Sequence, residues 1–284
     1  MIDCKIETNT TINKRTHPKV SPLLSDIQDQ PDTRGIAIQK VGIQSLEYPI
    51  RIFNHLGIEQ SSIGLFTLSI SLSPHKKGAH LSRFIGALEA HPRVFSSDGR
   101  GLSDLLILIQ KTLEAENAFL NISFPFFMEK SAPKTHLNSL MRYNVTFTAE
   151  KLGTSDAQWE TCVEVPVTSV CPCSKAISRY GAHNQRSILR LTVKTVEAIS
   201  IERWITLLEQ QGSAELFSLL KRPDEKWVTE KAYENAKFVE DIVRDVACIL
   251  NHDNNIMHYH ISSNNLESIH NHSAYAEIFN KKLS

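Results

Sequence analysis

Cys171-Pro172-Cys173 stands at the end of an alternating run in which Val163, Val165 and Val167 are set against Cys162, Glu164 and Thr168. Pro172 lacks a backbone donor, so strand pairing is expected to stop there. In extended backbone, side chains at i and i+2 point the same way, which would turn both thiols into one cavity. Two ligands from so short a loop strain a tetrahedral site, so one thiol is expected to bind metal while the other serves elsewhere. The pair also reads as small buried residues at a strand end. His183 follows the turn residues Tyr180-Gly181 and is placed to fold back over the cysteines. Thiolate and imidazole together suit Zn²⁺, and three protein ligands with one open position form the catalytic pattern. An ordinary surface or core histidine is the plainer alternative.

Other residues could join such a site. Ile269-His270-Asn271-His272-Ser273 places two imidazoles at i and i+2. They suit proton transfer or phosphate binding near neutral pH, and they also suit a polar loop. Glu240 lies just outside the apolar helix face of Phe238, Val239, Ile242, Val243, Val246, Ile249 and Leu250. There a carboxylate either meets solvent or looks into a cleft. Glu225, in Lys221-Arg222-Pro223-Asp224-Glu225-Lys226, reads by itself as part of a charged loop. His258 and His260 fall on the polar side of a strand. Gly78-Ala79-His80-Leu81-Ser82-Arg83-Phe84 opens a helix, where an anion could be held or where the helix merely starts. The sequence has no Walker loop, Rossmann glycine fingerprint or nucleophile elbow.

The elements that must position these residues follow from periodicity. Phe66, Leu68, Ile70 and Leu72 alternate with polar residues, as a half-buried strand does. Leu81, Phe84, Ile85 and Leu88, then Leu102, Leu105, Leu106, Ile109 and Leu113, recur at helical spacing. Strands are expected over 120–126 and 143–149. The second half repeats the order, with strands around Val165 and Leu191, a helix over 201–210, a long helix over 229–250, and strands around Tyr259 and over 275–279. Both halves thus read strand, strand, helix, helix, strand, strand. The expectation is an α+β fold, with one mostly antiparallel sheet and helices on one face. Residues 1–25 are expected to form a flexible arm, 26–150 a first module and 151–284 a second module carrying the metal site.

The bulk numbers exclude some partners. Lys plus Arg, 31, equals Asp plus Glu, 31, which gives no footing for nucleic acid or an anionic membrane. No apolar run is long enough to span a bilayer. Met1-Ile2-Asp3-Cys4-Lys5 lacks the apolar core of a secretory signal, so a cytoplasmic location with five reduced cysteines is expected.

The run from Val165-Pro166-Val167 through Cys171-Pro172-Cys173-Ser174-Lys175 to Tyr180-Gly181-Ala182-His183-Asn184-Gln185-Arg186-Ser187 strongly resembles the type IB GTP cyclohydrolases. So does Glu267-Ser268-Ile269-His270-Asn271-His272-Ser273-Ala274-Tyr275-Ala276. Arg222-Pro223-Asp224-Glu225-Lys226, Phe238-Val239-Glu240-Asp241 and Lys40-Val41-Gly42 support it. The resemblance implies a tunnelling fold of two tandem ββααββ modules, assembled as a homotetramer with active sites near subunit interfaces. It implies conversion of GTP and water to 7,8-dihydroneopterin triphosphate and formate, the entry step to tetrahydrofolate. Zinc or manganese is the implied metal, with Cys171, His183 and Glu225 as ligands and Cys173 as an alternate. Water activated by the metal would attack C8 of the guanine. Glu240 would anchor the guanine ring, while Cys171, Cys173, His270 and His272 would be the catalytic groups.

Ala79, Leu81 and Ala236 depart from the family pattern, which more often has Thr, Met and Pro there. Two other readings remain at this point: an NADPH-dependent nitrile reductase of the same superfold, and a non-catalytic zinc-stabilised assembly module.

Overall fold

The computed structural model describes residues 27–281. In chain order the elements are β1 (Ile38–Phe53), β2 (Glu59–Leu72), α1 (Leu81–Ala90), β3 (Val94–Ser96), α2 (Leu102–Leu113), β4 (Asn117–Ser131) and β5 (Asn138–Leu152). They continue with β6 (Gln158–Val170), α3 (Pro172–Ile177), β7 (Asn184–Thr195), α4 (Ile201–Glu209), β8 (Ala214–Glu215), α5 (Arg222–Glu234), α6 (Val239–His252), β9 (Ile256–Leu266) and β10 (Ala274–Lys281). The arm expected over residues 1–25 lies outside the described residues.

All ten strands join one sheet in the order β10-β9-β7-β6-β5-β4-β2-β1-β3, with β8 beside β6. This corrects the expectation of two tandem ββααββ modules. The sheet is mixed, because Val94–Ser96 pairs parallel with Arg51–Phe53. Among the described residues six α-helices are present where two such modules would have four, and β3 and β8 interrupt the pattern. The reasons are local. Pro172 occupies the first turn of α3, where its missing N–H costs nothing, so the chain after β6 turns helical. The long helix expected over 229–250 breaks between Asn235 and Phe238. There the Lys237 N–H leaves the helix to donate to the Val170 carbonyl at 3.1 Å. The expected boundary near residue 150 falls inside β5, which pairs with β6 from Asn144↔Glu164 to Glu150↔Gln158, so the sheet continues across it.

Alternation places every second strand residue in one core. Phe66, Leu68, Phe147, Val165, Leu191 and Tyr259 are buried there with Phe84, Leu105, Ile109, Trp204 and Val246 from the helices. The intervening positions carry polar pairs, such as Asn121 donating to Thr148 Oγ1 at 2.9 Å. On α6 the buried stripe is Val239, Ile242, Val243, Val246, Ala247 and Leu250. Phe238 and Ile249, expected in that stripe, are exposed. Among the described residues no helix is long and apolar enough to cross a membrane.

Candidate active site

One end of the sheet brings three chain segments together. The β6–β7 register closes at Val170↔Asn184, so residues 171–183 form the connection between these strands. Arg186 of β7 pairs with Leu266 of β9, and Ala274 of β10 with Asn265 of β9. The 171–183 connection, the β9–β10 loop and the start of α6 therefore meet. Between them lies a cavity of about 280 Å³, lined by Cys171, His183, Glu240, Glu267, His270 and His272 among others.

The Cys171 N–H donates to the His183 carbonyl at 3.1 Å, closing the mouth of the connection. Gly181, at φ 122°, supplies the left-handed residue that lets the chain return. Ser174 locks the corner from inside. Its hydroxyl donates to the Cys171 carbonyl at 3.1 Å and accepts from the His183 N–H at 3.2 Å. The Cys171 sulfur caps α3, accepting from the Ser174 N–H at 3.4 Å. This overturns the expected extended C-x-C. Cys173 sits on the first turn of α3, exposed and away from the cavity lining.

His183 is held by its neighbours. Nδ1 lies 3.1 Å from Gln185 Oε1, with Ser268 Oγ at 3.5 Å and Glu267 Oε2 at 3.9 Å. Gln185 Oε1 and the carboxylate are acceptors, so the proton is assigned to Nδ1 and the lone pair to Nε2. Beneath them runs a buried polar layer. Ser187 donates to Ser169 at 2.8 Å, and Ser263 to Asn265 Oδ1 at 3.0 Å.

The break between α5 and α6 positions Glu240. Asp241 Oδ2 accepts from the Phe238 N–H at 2.9 Å and fixes the start of α6. Glu240 therefore lies in the first helical turn, facing the cavity, rather than midway along a continuous helix. His270 and His272 stack, with ring centroids 5.1 Å apart and planes 15° from parallel. Glu267, largely buried in the same lining, was assigned no role from the sequence. The signal was its place three residues before His270 in one loop.

Glu225 is placed differently. It is exposed on the first turn of α5 and does not line the cavity. Its neighbour Asp224 is buried and accepts from the Lys134 N–H at 2.8 Å, the Thr135 N–H at 2.9 Å, the Thr135 hydroxyl at 2.7 Å and the Lys221 N–H at 2.9 Å. Burial pulls its pKa upward. The hydrogen bonds outweigh that pull and hold the carboxyl well below the usual carboxylate range. Among the described residues no three His, Cys, Asp or Glu side chains are arranged to hold a metal ion. Cys171 and His183 suit a zinc-class ion in donor chemistry, and a third donor is not in place beside them within one chain.

The family model described as type I GTP cyclohydrolase folE2 matches residues 24–276. A protein named GTP cyclohydrolase FolE2 from Nitrosomonas eutropha is 48% identical over 255 residues, covering 90% of this chain and 95% of that protein. One of the same name from Nitrosococcus oceani is 46% identical over 265 residues, covering 93% and 98%. Among solved structures, uricase from Arthrobacter globiformis aligns over 86% of this chain and 93% of its own, at 10% identity and a TM-score of 0.47. By its sequence along nearly its whole length, the chain belongs to the type I GTP cyclohydrolase FolE2 family.

Proposed function

We infer that this chain is a GTP cyclohydrolase that converts GTP and water to 7,8-dihydroneopterin triphosphate and formate, the first step of tetrahydrofolate biosynthesis. The observation that carries the reading is the convergence of Cys171, His183, Glu240, His270 and His272, drawn from three chain segments, on one cavity. Family membership supports the same activity.

Each residue type suits a task. The Glu240 carboxylate can accept both the N1–H and the 2-amino hydrogens of guanine, a pairing that adenine does not offer. His270 and His272 can protonate a ring nitrogen and move protons as the ring opens and recloses. Glu267, beside His183, can accept a proton from water near the reacting carbon. Cys171 and His183 would hold a divalent metal, zinc or manganese; the family resemblance adds Glu225, which stands outside this cavity in the single chain, as the third ligand, with Cys173 outside the set. When bound, that ion supplies Lewis-acid chemistry and lowers the pKa of water toward neutrality.

The enzyme works as a homotetramer in the cytoplasm, with sites near subunit interfaces; the exposure of Glu240, His270 and His272 in the single chain supports that arrangement. Purified protein loaded with Zn²⁺ or Mn²⁺ and given GTP should yield a pterin that fluoresces after oxidation. Absence of pterin with both metals would refute the assignment.

A further inference from the structure

Glu202 is a buried carboxylate that the Cys171 cavity does not use. It stands in the first turn of α4, with its side chain 7% exposed. The positive end of the helix dipole favours its ionised form there. One of its oxygens is engaged. Glu202 Oε1 accepts from the His55 main-chain N–H at 2.8 Å and lies 3.1 Å from His55 Nδ1. The other oxygen, Oε2, is buried and has no hydrogen-bond partner among the described residues. One further buried side-chain oxygen shares that condition, the hydroxyl of Ser97. It belongs to the same corner, because the Ser97 carbonyl accepts from the N–H of Ile201, the residue before Glu202, at 2.9 Å.

A carboxylate oxygen buried without a donor is costly, and native chains seldom keep one without a use. The neighbouring cations do not supply the donor. The guanidinium of Arg203 lies 3.5 Å from Asp253 Oδ2, and His55 is held to the engaged oxygen.

Glu202 stands at the wall of a cavity of about 500 Å³. That is within the range of sites that enclose a small ligand, roughly 300–1,000 Å³. The walls come from the β1–β2 turn, β4, α4 and α6, and no residue is shared with the Cys171 cavity. Met128, Leu207 and Ile249 give it apolar surface, and Thr206 and Gln210 add a hydroxyl and an amide. Glu202 is the one carboxylate in the lining among the described residues. Half-exposed His55, bonded to that carboxylate, stands between it and solvent.

We propose that this cavity binds a small organic cation, a primary ammonium on a short apolar stem. The ammonium donates to Glu202 Oε2 as His55 turns aside, and the stem lies on Met128, Leu207 and Ile249. An ammonium is compact and carries three donors, enough for Oε2 and for the Ser97 hydroxyl in the same corner. The assignment is independent of the GTP reading, since it draws on none of the Cys171 cavity's residues.

Calorimetry with n-butylammonium, n-butanol and n-butyltrimethylammonium tests it without GTP or metal. Wild type should bind n-butylammonium at millimolar concentrations. The alcohol has the stem without the charge, and the trimethylated cation has the charge without N–H donors. Each should bind on the order of tenfold or more weakly, the scale of losing a charge-assisted hydrogen bond. Glu202→Gln should weaken n-butylammonium binding by a similar factor and leave kcat and KM of the metal-loaded protein for GTP unchanged. Thr206→Trp, at an exposed position of the lining, should fill the cavity and abolish binding with Glu202 intact; it decides the matter if Glu202→Gln fails to fold. No binding of n-butylammonium to folded wild type at millimolar concentrations would overturn the proposal. So would binding that both variants leave unchanged, or n-butanol bound as tightly as the ammonium.

Discussion

Gln185 Oε1 accepts the Nδ1 proton of His183 at 3.1 Å, and so fixes which imidazole nitrogen of His183 offers a lone pair. Gln185 is itself buried at the start of β7, paired in the sheet with Ser169, so its amide is held by the strand rather than by a loop. Gln185→Leu should therefore weaken zinc binding by about 10- to 100-fold, the usual cost of losing such an orienting contact. Metal titration with a competing chelator measures it. Wild-type affinity in the variant would show that His183 needs no such partner.

The two neighbouring thiols should behave unequally. Cys171 lines the cavity, and Cys173 is exposed on α3. Cys171→Ser should lose bound metal and nearly all turnover, whereas Cys173→Ser should keep most of both. Metal content per chain and initial rates decide it, and equal losses would place both thiols in the site.

The two glutamates near the metal reading should separate as well. Glu225→Gln should lower metal content. Glu267→Gln should keep the metal and lower kcat, since Glu267 stands in the lining 3.9 Å from His183. The reverse pattern, measured by elemental analysis beside kinetics, would make Glu267 the third donor.

Glu240 should set base selectivity. With wild type, ITP, which lacks the 2-amino group, should be a poorer substrate than GTP by roughly 10- to 100-fold, the scale of one charge-assisted hydrogen bond. Glu240→Gln should reduce kcat/KM for GTP and narrow that ratio. An unchanged ratio would place guanine recognition elsewhere.

Asp224 should make stability depend on pH in one direction. Its pKa is lower in the folded chain than the usual value near 4, so its ionised form stabilises the fold. That contribution is complete above about pH 4 and is lost as pH falls toward the depressed folded value. The Tm of wild type should thus exceed that of Asp224→Asn by a constant margin from pH 7 down to about 4, and the margin should shrink below. A margin that closes between pH 7 and 5 would contradict the hydrogen-bond account.

Much of the molecule was legible from residue patterns, and the exceptions have physical causes. Alternation marked β2, β6 and β7 because one strand face is buried and the other polar. The convergence of His183, Glu240, His270 and His272 followed from motif resemblance, because these residues lie far apart in sequence. Cys173 was misplaced because proline ends a strand and begins a helix equally well, and only the fold decides which. The break before α6 was hidden because Ala236, a good helix former, stands where a proline would have marked it. What breaks the helix is tertiary, the Lys237 N–H bonded to Val170. The parallel β1–β3 pairing rests on three residues, too short a run to show a period.

At the Cys171 cavity C8 of guanine should be expelled as formate. The most direct measurement is carbon NMR of metal-loaded protein incubated with GTP labelled with ¹³C at C8. The label should appear in free formate in step with pterin formation, and Glu240→Gln and His183→Ala should abolish its release. Label that stays in a purine ring, or formate released equally by both variants, would contradict it.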